Sequence, residues 1–337
     1  MTQDATARRS PTRMVFAVLR LALGVAILSH LYKSGAIDVR PLAKLVPAWP
    51  ITLAAMSILL ADAYLMALRT CWMLEPIGLR LTIWNSFQLN LVTSFFSNVA
   101  PGAAGADAAR LFYATKGNAG TRAEVATVMI LDRAVGFFSM LLLPLAFAPF
   151  FWNLLGSVRV MRNLLLVDAI AAGVIFLGFL LCLYSRAIRS LIALRFLRWE
   201  RWTRVAERVL NTLGMYRQHF GILLRALLIA MVANLSVIAI MGLAFVVLNP
   251  AWLSARMFLA VPLGEIANCL PLTPGGLGVG EAAFHSLFTW SGLHGGVEAV
   301  LCWRIWKALV GLIGLGVYLG GLGRVVYTEQ PEKAGTA

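Results

Sequence analysis

Charged residues are scarce in this sequence, and long acidic runs are missing. Only 13% of the 337 residues are charged and 60% are hydrophobic, whereas a soluble domain has about 25% charged residues. Long apolar stretches recur along the whole chain. This composition excludes an ordinary soluble protein. It predicts an all-α polytopic membrane protein, because helices satisfy their own backbone hydrogen bonds within lipid.

Cysteine and histidine are equally sparse, with four residues of each type. The cysteines form no Cys-x-x-Cys pair and most lie in apolar runs, which favours small core residues. The histidine spacing matches no metal motif, so we expect no metal and no cofactor. The sequence also shows no nucleophile beside a base and no nucleotide-binding loop, so we expect a protein that is not an enzyme.

Basic residues outnumber acidic residues by 29 to 15, which gives a formal net charge of +14. They border the apolar segments and do not form a separate basic domain. We therefore expect the partner to be an anionic lipid surface and not a nucleic acid.

Six apolar segments approach or exceed the roughly 20 residues that a membrane-spanning helix needs. They are 14–32, 48–68, 123–150, 163–184, 221–248 and 297–322. We predict a transmembrane domain over 14–322, with halves 14–162 and 163–322. A cytoplasmic N-terminal tail (1–13) and a cytoplasmic C-terminal tail (323–337) flank it.

Two further apolar regions, 82–119 and 254–293, each contain a Pro-Gly phrase near the middle. The segment 185–219 carries eight arginines and two glutamates. It lies in the cytoplasm, as the positive-inside rule requires, only if 82–119 dips into the membrane and returns. The same logic makes 254–293 a dip from the outer face. The halves then form an inverted repeat, an architecture common among transporters.

The segment 185–219 alternates leucine and valine with its arginines. This pattern favours an amphipathic helix on the inner leaflet. A solvated connector is the alternative.

The two Pro-Gly phrases share one pattern. Residues 101–109 read PGAAGADAA and residues 274–283 read PGGLGVGEAA. Proline and glycine interrupt helices, and the free N–H groups of the helix that follows attract anions such as phosphate. The loops are therefore expected to cradle a lipid headgroup from opposite sides. Asp107 and Glu281 alternatively cap the following helices, and the two roles can coexist.

Arg133 and Arg304 lie 32 and 30 residues after the prolines of the two phrases, inside apolar segments. Their planar guanidinium groups suit an anionic headgroup. Nearby carboxylates either balance the arginines in the empty site or bind a coupling proton; alternatively, Asp132 and Glu265 merely neutralise an arginine. The candidate substrate-binding residues are Pro101, Gly102, Gly105, Asp107, Arg110, Asp132, Arg133, Glu265, Pro274, Gly275, Gly276, Gly278, Glu281 and Arg304.

The phrases of residues 98–110 and 270–284, together with Leu131-Asp132-Arg133, resemble the membrane flippase-type domain of lysylphosphatidylglycerol synthases. The resemblance covers about 14–322. It implies lipid translocation in the bacterial inner membrane and not lipid synthesis, because the chain ends shortly after its last helix and is expected to lack the soluble aminoacyl-transfer domain.

The resemblance leaves the lipid cargo open. Membrane lipids with anionic headgroups, a lipid-modifying enzyme and a second copy of the chain are the expected partners. The leading hypothesis is a flippase or transporter of an anionic or glycosylated lipid. A non-transporting scaffold for a lipid-modifying or glycosyl-transferring enzyme is the alternative, and a membrane-embedded enzyme is a third.

Overall fold

The computed structural model describes Ser29, Lys33 and the ranges 40–99, 122–184, 212–269, 273, 276–320 and 328–329. The N-terminal tail, the predicted span 14–32, most of the segment 185–219 and most of the C-terminal tail lie outside these residues. So do Pro101, Gly102, Gly105, Asp107, Arg110, Pro274 and Gly275. Predictions that rest on them stay predictions.

The described chain is almost entirely helical. Its α-helices are α1 (Trp49–Leu74), α2 (Ile83–Val99), α3 (Arg122–Phe147), α4 (Trp152–Ser157), α5 (Arg159–Tyr184), α6 (Phe220–Leu248), α7 (Met257–Asn268), α8 (Val279–Trp290) and α9 (Gly296–Leu319). Short 3₁₀ turns cover Arg40–Leu45, Glu75–Ile77, Ala148–Phe151 and Pro250–Trp252. Two-residue strands, β1 (Leu79–Arg80) and β2 (Thr328–Glu329), pair antiparallel with Leu79 opposite Glu329.

Five helical stretches in the described ranges are long and apolar enough to cross a membrane. They contain α1, α3, α5, α6 and α9, which correspond to five of the six predicted spans. The all-α polytopic membrane fold is therefore confirmed. Helix α1 extends six residues beyond the predicted end at residue 68, because Arg69 is buried in an ion pair and does not end the helix.

Helices α7 and α8 divide the second Pro-Gly region into two pieces of 12 residues each. A 12-residue helix is about 18 Å long, so neither piece spans a bilayer core of about 30 Å by itself. They pack against each other, and α7 also packs against α3. Helix α2, in the first Pro-Gly region, packs mainly against α9 and α1.

The largest buried apolar cluster joins the two halves of the chain. It takes side chains from six helices, including Ala55 of α1, Leu143 of α3, Phe245 of α6, Val261 of α7, Phe284 of α8 and Trp306 of α9. Small residues at these contacts let the helices approach closely, as in other membrane proteins.

The end of the connecting segment packs against the helices. Residues 212–218 are helical, and Tyr216 is fully buried and donates a hydrogen bond to the Met73 carbonyl near the end of α1. This end of the segment 185–219 is therefore anchored to α1 through Tyr216.

A close contact between helices involves Gly314 of α9. A Cβ at this position would lie 2.0 Å from the Leu91 carbonyl oxygen of α2. The Gly-x-x-x-Gly pair formed by Gly316 and Gly320 is a more obvious packing motif in the sequence. However, a Cβ at Gly316 would meet no atom within 4 Å.

Replacing Gly314 with alanine should separate α9 from α2. We expect Gly314→Ala to lower the free energy of unfolding by at least about 1–3 kcal/mol, the usual cost of overpacking. Gly316→Ala is the matched control and should be neutral or slightly stabilising, since alanine favours helix over glycine. The midpoint of thermal unfolding in detergent measures both effects. Equal midpoints for the two variants would contradict this contact.

Candidate functional site

The second Pro-Gly loop has a backbone that only glycine fits. Gly276 and Gly278 have positive φ angles of 71° and 81°. A Cβ on Gly276 would lie 2.3 Å from Oδ1 of Asn268, at the end of α7, and a Cβ on Gly280 would lie equally close to that atom. The glycines thus let the loop fold onto the Asn268 side chain.

Arg304 of α9 is held by this loop. Its Nε lies 2.7 Å from Oε1 of Glu281, and its Nη2 donates to Oδ1 of Asn268 at 3.2 Å and to the Gly276 carbonyl oxygen at 3.1 Å. Glu281 is fully buried, whereas 20% of the Arg304 side chain is exposed. The loop therefore fixes the guanidinium, while a fifth of the Arg304 side chain stays exposed.

Glu281 has the capping role considered from the sequence, and it also pairs with an arginine. Its Oε2 accepts a hydrogen bond of 2.7 Å from the Gly278 backbone N–H, which caps the start of α8. Its Oε1 pairs with Arg304. One carboxylate thus ties the loop, the helix start and the arginine together.

A second buried ion pair links α1 to α3. Arg69 Nε lies 2.7 Å from Oδ1 of Asp132, and Arg69 Nη2 donates to Oδ2 of Asp132 at 2.9 Å. The guanidinium lies close to Gly136, where a Cβ would be 3.6 Å from Nη1. Asp132 therefore neutralises an arginine, as the alternative interpretation held, but the arginine is Arg69 of another helix.

Lys307 of α9 is a third cation with charged neighbours on other helices. It interacts electrostatically with Asp62 of α1 and Glu265 of α7. Asp62 also faces Arg69, and Glu265 also faces Arg304. The Nζ of Lys307 lies 4.4 Å from the ring centre of Trp303, a distance typical of a cation–π contact.

Arg133 occupies an exposed position on α3, next to the buried Asp132. It interacts electrostatically with Cys269, which follows α7 directly. Glu265 and Lys307 interact with the same cysteine. Arg133 therefore lies in the neighbourhood of the end of α7.

These side chains form what we call the charged cluster, which balances in formal charge among the residues that the structure describes. Its four cations and four carboxylates are Arg69, Arg133, Arg304, Lys307, Asp62, Asp132, Glu265 and Glu281. They come from α1, α3, α7, α8 and α9. Because its charges compensate one another, such a cluster can bind a charged group without exposing an uncompensated charge to the surrounding hydrocarbon.

Among the predicted site residues, Gly276, Gly278, Glu281, Arg304, Glu265, Asp132 and Arg133 lie in or beside this cluster. Sequence reasoning missed the roles of Arg69 and Asn268. Arg69 was detectable as a charge near the end of an apolar segment, whereas nothing in the sequence distinguishes Asn268. Within the described ranges, no group of three or more His, Cys, Asp or Glu side chains could hold a metal.

Comparison with known proteins identifies one family. The model of the family described as "Lysylphosphatidylglycerol synthase TM region" matches residues 16–314. No curated protein and no solved structure matches the chain.

The Arg69–Asp132 pair should be necessary for stability. Asp132→Asn keeps the side-chain shape and removes the charge, which leaves Arg69 buried without its carboxylate. Breaking a buried pair costs about 3–5 kcal/mol, so we expect a large fall in the thermal unfolding midpoint. Arg133→Gln, at the neighbouring exposed position, should change the midpoint little. If Asp132→Asn had the same thermal unfolding midpoint as the wild type, the pair would be dispensable for stability.

Proposed function

Since the chain belongs to the lysylphosphatidylglycerol synthase TM region family, we propose that it is a flippase or transporter of an anionic or glycosylated lipid. The headgroup passes through a polar cavity lined by the two Pro-Gly loops, while the acyl chains stay in the bilayer. The observation that carries this proposal is the charged cluster, in which Arg304 is fixed by the second loop and faces the same α7 end as Arg133.

Intramembrane charge supports transport over a purely structural role. A charged side chain within hydrocarbon is costly, and such residues usually face a cavity or pair with one another. Two arginines of the cluster, Arg69 and Arg304, have a carboxylate at 2.7 Å. Arg133 is exposed, and 20% of the Arg304 side chain is exposed. These two cations are therefore the ones best placed to reach a headgroup phosphate.

Headgroup recognition follows from the geometry around Arg304. The guanidinium is held on one side by Glu281, Asn268 and the Gly276 carbonyl oxygen. Its orientation is thus set before a ligand arrives, which lowers the entropy that binding must remove. Arg133 supplies a second planar donor group, and arginine forks match phosphate oxygens.

Helix packing supports an inverted repeat of the halves 14–162 and 163–322. The order of elements pairs α1 with α6, α2 with α7 and α3 with α9. The contact between α2 and α9 then has a counterpart in the contact between α7 and α3. The contact between α1 and α9 likewise has a counterpart in that between α6 and α3. Inverted repeats place substrate sites at their interface near the bilayer midplane.

The proposal extends to location and partners. In it, the protein lies in the bacterial inner membrane with both termini in the cytoplasm, and membrane lipids are its main partners. The protein moves its lipid without changing a covalent bond. A lipid-modifying enzyme would be a functional neighbour that supplies the cargo.

Translocation of fluorescent lipids in proteoliposomes tests the proposal. We expect the wild type to move a fluorescent phosphatidylglycerol or glycosyl diacylglycerol between leaflets. Arg133→Gln and Arg304→Gln should each slow this movement by about tenfold or more, since a hydrogen bond to a charged group contributes about 1.5–3 kcal/mol. Leaflet location is read from quenching by an impermeant reductant.

Arg162→Gln provides the matched control, because Arg162 is an exposed arginine near the start of α5, outside the cluster. It should translocate at the wild-type rate. If both cluster variants also kept that rate, the proposed headgroup site would be wrong. A wild type that moved none of the probes would favour the scaffold.

Membrane sidedness has a separate test. In a background without the four native cysteines, Gly156→Cys should react with an impermeant thiol reagent added outside intact cells. Glu200→Cys should react only after the membrane is opened, because the arginine-rich segment is proposed to be cytoplasmic. The reverse labelling pattern would contradict the inverted topology.

A further inference from the structure

We propose that Asn268 determines the headgroup specificity of the site, because its uncharged amide oxygen orients Arg304 without adding a negative charge beside it. The site then selects an anionic lipid headgroup over an uncharged one. This inference rests on the proposed transport function and narrows its cargo to lipids with an anionic headgroup. It starts from the contacts by which the second Pro-Gly loop and the end of α7 hold one guanidinium.

Three groups of this region accept from Arg304, and they differ in charge. The Glu281 carboxylate lies 2.7 Å from Nε through Oε1 and 3.4 Å from Nη2 through Oε2. The Asn268 amide oxygen and the Gly276 carbonyl oxygen lie 3.2 and 3.1 Å from Nη2. Two of the three groups are therefore uncharged, so they fix the direction of the guanidinium without cancelling its charge.

The chemistry of arginine determines which end of the Asn268 amide faces it. A guanidinium has only hydrogen-bond donors, so the atom that lies 3.2 Å from Nη2 is the amide oxygen and not the amide nitrogen. This oxygen lies in a tight slot, because a Cβ on Gly276 or on Gly280 would be only 2.3 Å from it. Aspartate has the same shape as asparagine and is compatible with the slot, but it brings a negative charge.

Burial separates Arg304 from the carboxylate that pairs with it. The Glu281 side chain is fully buried, whereas 20% of the Arg304 side chain is exposed. A ligand can therefore touch Arg304 and cannot touch Glu281. The cation is the nearer of the two charges, and since Coulomb interactions weaken with distance, an anion at this place is attracted.

A carboxylate at position 268 would cancel this attraction. In the wild type, the formal charges of Arg304, Glu281 and Asn268 add up to zero. With aspartate at position 268 they would add up to −1, and the added charge would lie next to Nη2. An anionic headgroup would then be repelled, whereas an uncharged sugar headgroup would meet no net charge of its own to oppose.

Binding of two short-chain lipids to the purified protein tests this assignment. Native mass spectrometry in a non-ionic detergent gives the dissociation constants of phosphatidylglycerol, which is anionic, and of glucosyl diacylglycerol, which is uncharged. The wild type should prefer phosphatidylglycerol. Asn268→Asp should weaken phosphatidylglycerol binding by about tenfold or more, because a charge is added beside the guanidinium, and should change glucosyl diacylglycerol binding little.

Three results of this measurement would overturn the inference. The first is a wild type that binds both lipids equally well. The second is an Asn268→Asp variant that keeps the wild-type preference. The third is an Asn268→Asp variant that binds both lipids more weakly by the same factor, since this is the effect of a residue that only supports the fold.

Asn163→Asp is the matched control. It makes the same substitution at an exposed asparagine near the start of α5, outside the charged cluster. The two variants have the same total charge, and Asn163→Asp should keep the wild-type preference. An equal loss of preference in both variants would trace the effect to total charge, and Asn268 would have no special role.

A second variant keeps the test decisive if Asn268→Asp does not fold. Asn268→Ala removes one acceptor of Arg304 and adds no charge. It should bind phosphatidylglycerol several-fold more weakly, because the guanidinium is less well oriented before binding, and it should still prefer this lipid. If Asn268→Ala bound phosphatidylglycerol as tightly as the wild type, Asn268 would not position Arg304 and the inference would be wrong.

Translocation in proteoliposomes separates this inference from the proposed function. Asn268→Asp should raise the mole fraction of labelled phosphatidylglycerol that gives half the maximal rate more than it lowers the maximal rate. If the wild type binds phosphatidylglycerol selectively but moves no lipid, the proposed function fails and the role of Asn268 stands. If the wild type moves the lipid and Asn268→Asp reaches half its maximal rate at the same mole fraction, the role of Asn268 fails and transport stands.

Discussion

Every charged side chain of the cluster depends on one constraint: a charge among apolar helices needs compensation close by. The Arg304–Glu281 contact of 2.7 Å shows how far this constraint shapes the protein. To meet it, the loop before α8 turns through two glycines with positive φ, and α7 ends at an asparagine that accepts from the same guanidinium. The fold of the second Pro-Gly region is thus built around a single arginine.

The Arg69–Asp132 pair does the same for the first half of the chain, where it joins α1 to α3. Lys307 of α9 interacts electrostatically with Asp62 of α1 and Glu265 of α7, so its charged neighbours come from both halves of the chain.

The sequence was sufficient for five of the six predicted spans, because apolar length follows from local composition. It also singled out Glu281 and Arg304 as candidate residues, since a charge inside an apolar stretch is visible without a structure. The partners in the ion pairs were not predictable from the sequence. Asp132 pairs with Arg69 and not with a residue of its own helix, because pairing depends on which helices pack together. No sequence pattern marks Asn268 as a hydrogen-bond acceptor for Arg304. The close contact between α9 and α2 lies at Gly314 and not in the Gly-x-x-x-Gly pair of Gly316 and Gly320.

The exposed fraction of the two arginines argues for a ligand over a scaffold. A protein that only holds a neighbouring enzyme has no need for cations inside its transmembrane domain, and burying them beside carboxylates often contributes little stability over apolar packing. Here Arg304 is fixed from one side and left 20% exposed, and Arg133 is exposed next to a fully committed Asp132. Orientation before binding is useful only if something binds.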